Sequence, residues 1–243
     1  MPGGQYIALS GMRTRLDQLD RLASDLANVG TTGYKTEKWS HVEANRPAFD
    51  TELQSAIDVT TGSRRLDMSA GAINPTGRDL DVAIDGKGFF TVQTPAGIRY
   101  TRNGNFSTNA AGLLVTADGG IVQGTTGPIT LGPGKVQIDP DGTVSAGDTV
   151  AGRLAIVQFA DAGQLVREGG AALRADPGSA APTAVAANQV TLRSGALEQS
   201  NVSVVERIAE LTNVTRNFEA LQKAVSLMMN DVYGQAIAQL GKR

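Results

Sequence analysis

The chain has no cysteine, which excludes a disulfide framework and thiol chemistry. It has one histidine, His41, so a histidine-based metal site or a Ser/His/Asp triad would have to use that residue. It has no basic excess: 22 basic residues stand against 24 acidic ones. That balance argues against nucleic acid, whose phosphates require a basic patch. No apolar run approaches the ~18 residues of a membrane-spanning helix, so no membrane insertion is expected. Met1-Pro2-Gly3-Gly4 is not a basic leader, and Arg13 to Asp25 is densely charged, so no cleaved secretory signal is read. The default compartment is then the cytoplasm, unless the chain leaves by a route that needs no such signal. Aromatics are also scarce, whereas glycine, at 29 residues, is abundant. Turn-rich β structure accounts for both.

What is present is concentrated at the two ends. Leu211, Val214, Phe218, Leu221, Val225, Met228 and Val232 recur at alternating spacings of three and four, the pattern of a heptad seam. Val204 and Ile208 extend this stripe upstream, and Ala236 and Leu240 extend it downstream. Ser203-Val204-Val205-Glu206 has the form of a capping box. At 1.5 Å per residue the helix would run roughly 55 Å, and a lone helix cannot bury a stripe of that length. Leu9, Met12, Leu16, Leu19, Ala23 and Leu26 repeat the same spacing near the N-terminus, and Gly30 fits a left-handed position closing that helix near Val29. Burying each large apolar side chain is worth ~1.5–3 kcal/mol, so the two stripes are expected to meet. Leu227, Met228 and Met229 are three consecutive large apolar residues, which cannot all face one partner. They point to packing against further copies.

Residues 36 to 74 are polar and irregular, with Trp39, Phe49, Leu53, Ile57 and Val59 thinly spread, and read as an extended strip. From Gly77 the texture becomes β. Strands are expected at Asp81–Ile84, Phe89–Thr94, Ile98–Thr101, Leu113–Thr116, Ile121–Val122, Ile129–Leu131, Val136–Ile138 and Thr143–Val144. Leu154–Phe159 is the strongest strand of all, and Val190–Leu192 returns to the sheet. Gly, Pro and Asp-Gly turns punctuate the run about every ten residues, as in a sandwich or barrel. The expected fold is α+β. Residues 1–30 and 196–243 form a coiled-coil-like helical domain, 31–76 an extended linker, and 77–195 a central all-β domain.

No motif carries convincing chemistry. His41 lies in the least patterned segment, and no G-x-S-x-G is present. Asp81 and Asp85 could share a strand face, but Asp85-Gly86 reads as a turn. Asp139-Pro140-Asp141-Gly142 opens like a calcium loop without the glutamate at its twelfth position. Gly86-Lys87-Gly88 lacks the rest of a dinucleotide fingerprint. No catalytic residue, metal, cofactor or small-molecule substrate is expected.

Five stretches, in order, resemble the bacterial flagellar rod and hook proteins. They are Leu26–Lys35 (LANVGTTGYK), Asp79–Phe90 (DLDVAIDGKGFF), Tyr100–Phe106 with Gly112–Gly119, Gly195–Val202 (GALEQSNV), and Arg216–Glu219 (RNFE). The opening Tyr6–Met12 and the length look most like a proximal-rod member, with the distal-rod member as runner-up. Ser24-Asp25 and Gly30 depart from the asparagines usual in that family. The resemblance implies export, unfolded, by the flagellar type III apparatus and helical polymerisation into the hollow shaft that crosses the periplasm. Terminal helices would form its inner core and the β domain would pack outside. The partners implied are copies of the chain and other rod proteins.

The residues so implicated in the helical core are Leu9, Met12, Leu16, Leu19, Leu26, Leu211, Val214, Phe218, Leu221, Val225, Met228 and Val232. A strip of Asn28, Thr31, Thr32, Gly33, Tyr34 and Lys35 would touch adjacent subunits. Ser200, Asn201, Val202, Arg216, Phe218 and Glu219 form the C-terminal motif. The readings of other classes are a β-domain binding module with a helical dimerisation stem, and a hydrolase with an unrecognised site.

Overall fold

The computed structural model describes residues 2–40, 63–176, 178–186, 189 and 191–240. Side chains are described for these except 2–8, 10, 39–40, 63–64 and 228–240. His41, Phe49, Leu53, Ile57 and Val59 of the strip lie outside the described residues, as do the side chains of Met228 and Val232. One compact unit holds the two long helices, and a second comprises residues 28–38 and 64–202.

The second unit is mostly β. Its largest sheet has 10 strands. Along its main path the order is Val166–Gly169, Ala172–Arg174, Gly97–Thr101, Phe89–Thr94, Ile121–Gly124, Leu114–Thr116 and Phe106–Thr108. The hairpin expected from turn chemistry is present, with Thr94 opposite Gly97 and only Pro95-Ala96 between. The strand expected at Leu154–Phe159 is shorter, at Ile156–Gln158, with Leu154 bridged separately to Gly124. The one expected at Ile129–Leu131 is reduced to a bridge between Thr130 and Leu113.

Phe89 and Phe90 are neighbours in one strand, so they point to opposite faces of the sheet. Each anchors a separate core. Phe90 stacks edge-on against Phe106 at 5.1 Å, among Val82, Ile84, Leu114, Val122 and Ile138. Phe89 meets Phe159 at 5.9 Å, and Tyr100 meets Phe159 at 4.8 Å, beside Leu66, Leu165 and Leu173.

The first unit corrects the expected architecture. Helix α1 spans Pro2–Ala27 and helix α2 spans Val204–Leu240. No coiled-coil pair of the two is shown. Leu9 and Leu16 of the expected seam are 55% and 47% exposed, and Ile208 is 50% exposed. Burial falls instead on Leu22 and Asp25, one residue before and two after Ala23, which is exposed. The inward face of α1 is therefore rotated by about 100°, one helical residue, from the stripe that spacing selects, and it carries a charge that an apolar seam would not. Asp25 lies 3.8 Å from Arg207 of α2, and Gly11 lies against Leu221. Gly30 is not left-handed; the first positive φ after α1 is at Gly33, +69°. The helix instead gives way to a turn in which Thr31 N–H donates to the Asn28 carbonyl at 3.0 Å, and Thr31 Oγ1 donates to Asn28 Oδ1 at 3.1 Å. Ser203 stands just ahead of α2, where its carbonyl accepts the Arg207 N–H at 3.0 Å.

Candidate functional site: a buried ionic junction

Three of the five resembling stretches converge inside the second unit. Lys35 Nζ reaches Glu198 Oε1 at 2.5 Å, and Arg102 reaches Glu198 Oε2 at 3.2 Å. All three side chains are buried. Glu198 closes the short strand Ala196–Glu198, all of whose residues are buried and which pairs with Ile73–Pro75. Its carboxylate is further fixed by the Gly71 N–H at 3.0 Å. Lys35 also donates to the Ser69 carbonyl at 2.7 Å, and Arg102 to the Gly86 carbonyl at 2.7 Å. A buried charge is tolerable only when paired and hydrogen-bonded, and these contacts meet that condition. Burial pushes the Lys35 ammonium below the ordinary lysine value, against the opposing pull of Glu198. Burial lowers Arg102 in the same way, again opposed by Glu198. Two cations thus share one carboxylate.

The backbone around this cluster is as tightly determined. Gly33 N–H donates to the Glu198 carbonyl at 2.8 Å, and Asn201 N–H to the Tyr34 carbonyl at 3.3 Å. Asn201 Oδ1 accepts the Thr36 N–H at 2.8 Å, and its amide nitrogen donates to the Asp67 carbonyl at 2.9 Å. A Cβ on Gly33 would lie 2.4 Å from the Arg102 carbonyl carbon, and one on Gly71 would lie 2.0 Å from the Gln199 oxygen. Only glycine permits either approach. Tyr34 is fully buried, with the Arg167 guanidinium 4.2 Å from its ring centre. Arg167 also donates to the Lys35 carbonyl and pairs with Glu37 at 3.3 Å. At the rim, burial alone would raise Asp67, but Lys38 at 2.7 Å and the Ser69 N–H at 3.0 Å hold it below the usual carboxylate value. Every charged group of the cluster is engaged by another: Lys35 and Arg102 by Glu198, and Glu198 by both. It is a clamp between the segment leaving α1 and the segment approaching α2.

The motif of the first family match lies in this same unit. Residues 83–146 match the family described as flagellar hook protein FlgE/F/G D1 domain, and residues 193–229 match that described as flagellar basal body rod FlgEFG protein C-terminal. The flagellar basal-body rod protein FlgF of Caulobacter vibrioides is 35% identical, covering 100% of this chain and 99% of that relative. The chain belongs to the flagellar basal-body rod protein family. FlgF of Salmonella typhimurium is 35% identical over 91% of the chain and 92% of the relative. FlgG of Bacillus subtilis is 33% identical over 91% and 93%. This rod protein is most like the FlgF members, and it is a structural subunit of the flagellar basal body.

In this rod protein the strip residues Gly33, Tyr34 and Lys35 are buried in the junction, while Asn28, Thr31 and Thr32 are half-exposed beside it. Asn201 and Val202 belong to it, and the Ser200 hydroxyl accepts the Val202 N–H at 3.2 Å. Arg216 and Glu219 are exposed on α2. Met12, Leu19, Leu26, Leu211, Phe218, Leu221 and Val225 are half-buried, and Val214 is buried. Sequence reasoning singled out neither Glu198 nor Arg102 as a site residue. The available signal was a glutamate ending an otherwise apolar Ala196-Leu197 strand. Two of the carboxylates weighed as chemistry are held in ion pairs. Asp85 is bound by Arg193 at 2.7 Å, and Asp141 is held below the usual range by the Thr143 N–H and hydroxyl, with Arg153 at 2.6 Å. Among the described residues no cluster suited to a metal occurs.

Proposed function

We propose that this subunit occupies the proximal rod and assembles helically, with copies of itself and neighbouring rod proteins, into the hollow shaft that crosses the periplasm. It reaches that shaft through the flagellar type III export apparatus. The observation that carries the reading is full-length similarity to FlgF relatives, at 35% identity over 100% of the chain. The exposed apolar side chains of the helical unit support it: Leu9, Leu16, Val205, Ile208 and Leu227 leave apolar surface for other subunits to cover. In this reading the half-buried positions Phe218, Leu221 and Val225, with Met228 and Val232 beyond them, pack in the inner core of the shaft. Asn28, Thr31 and Thr32 face adjacent subunits, and the Lys35–Glu198–Arg102 clamp holds the first and last segments of the β unit together.

The test is a deletion strain complemented with wild-type or Phe218→Asp protein. Wild type restores swimming, whereas Phe218→Asp is exported but does not. Full motility of the uncomplemented deletion strain would end the reading. The similarity to FlgG of Bacillus subtilis, 33% over 91% of the chain, supports a distal-rod position as the second reading. Labelling the subunit in purified basal bodies separates the two by its distance from the hook.

A further inference from the structure

The β unit carries two surface features that the described residues leave incomplete. The first is a cleft of about 640 Å³ floored by Leu66, Met68, Phe89 and Phe159, opening onto the second core. Its volume falls in the ~300–1,000 Å³ range of clefts that enclose a ligand, room enough for a few side chains. Five charged residues line it. Arg65 is held by Asp161, Arg102 by Glu198 and Asp85 by Arg193, which leaves Lys87, with no ion pair among the described residues. The second feature is the strand Thr149–Arg153, the outer member of a three-stranded sheet. Val150 on it is 71% exposed, second among the described large apolar side chains to Val205 on α2. Asp148, next to it at the turn, is exposed and has no ion pair among the described residues. The Arg153 end of this edge accepts the Thr125 N–H at 2.9 Å, whereas the Val150 end presents an unguarded apolar residue of the kind that proteins ordinarily blunt unless another chain covers it.

We propose that the cleft of one subunit receives the Asp148–Val150 edge of a second copy of this chain. Val150 seats on the Phe89–Phe159 floor, and Asp148 meets Lys87. The two features are complementary in polarity and in sign of charge. They also sit over different cores, since the Thr143–Arg153 hairpin packs through Val144 on the first and the cleft opens on the second. A contact joining two different patches is heterologous, and repetition of such a contact builds an open filament. The inference rests on the rod reading and names one of its lateral contacts.

The absence of native cysteine makes the test direct. The deletion strain is complemented with full-length Ala70→Cys, Val150→Cys or the double variant; Ala70 is exposed and lines the cleft. Oxidation of motile cells is expected to give a ladder of disulfide-linked multimers from the double variant at least tenfold stronger than from either single one. Absence of that excess in motile cells overturns the contact while leaving the rod reading intact. A charge test reads the same contact independently. Lys87→Glu and Asp148→Lys should each reduce swimming, and the combined variant should restore it. Equal loss in the single and combined variants overturns the Lys87–Asp148 pairing. Motility without any copy of the subunit overturns the rod reading itself.

Discussion

At Gly33 one hydrogen atom decides whether the junction closes. A Cβ there meets backbone of Arg102 at 2.4 Å, and φ is +69°. Gly33→Ala is therefore expected to cost at least ~2 kcal/mol through strain and displaced backbone, read as a lowered denaturant midpoint of the full-length chain. Charge counting gives a second expectation. Glu198→Gln leaves Lys35 and Arg102 buried without their carboxylate and should cost about 3–5 kcal/mol. Lys35→Met leaves Arg102 and Glu198 as a balanced pair and should cost less, the order being checked by urea unfolding of both variants. Equal costs would contradict the shared-carboxylate account. The acid limb follows from Asp67 and Asp141, both held below the ordinary 3.8 in the folded chain. In the interval between the folded and unfolded values the unfolded chain binds more protons, so stability falls as pH falls. Their contribution is complete above about 3.8 and is lost below it; Asp67→Asn should flatten that part of a stability–pH curve. None of the pairing was legible from local sequence. Lys35 and Glu198 are 163 positions apart, and periodicity reports neighbours on one element, not partners across the fold.

Elements were legible to the extent that local rules decide them. The Phe89–Thr94 strand and its return were readable because alternation and turn chemistry act within a few residues. Leu154–Phe159 was not, because its pairing passes from Gly124 at Leu154 to Phe90 at Ile156. For the helices, the three-and-four spacing located both α1 and α2, yet the side each turns inward was set by tertiary contacts. On α1 those contacts select Leu22 and Asp25, and the apolar stripe through Leu9 and Leu16 stays open. An element-scale prediction follows from α2. Leu227 is 67% exposed, so Leu227→Asp should leave the melting temperature of the isolated subunit within ~2 °C of wild type, consistent with a surface change of under ~0.5 kcal/mol. The same substitution should impair swimming, because the proposed rod assembly covers that surface. A lowered melting temperature with normal swimming would assign Leu227 to the fold instead.

For the whole molecule, a β unit clamped at its two chain exits and a helical unit with apolar surface left over describe a subunit completed by others. Composition narrowed the reading without locating contacts: the missing cysteine excluded thiol chemistry and the balanced charge argued against nucleic acid, whereas the order of resembling motifs pointed to the family. The exposed apolar side chains of both helices are what association can bury, at roughly 25 cal/mol per Å² before ordering costs. The measurement that bears most directly on this account is electron microscopy of basal bodies from a strain lacking the subunit. The account predicts short rods without hooks, restored by the wild-type chain. Full-length rods bearing normal hooks in its absence would contradict it.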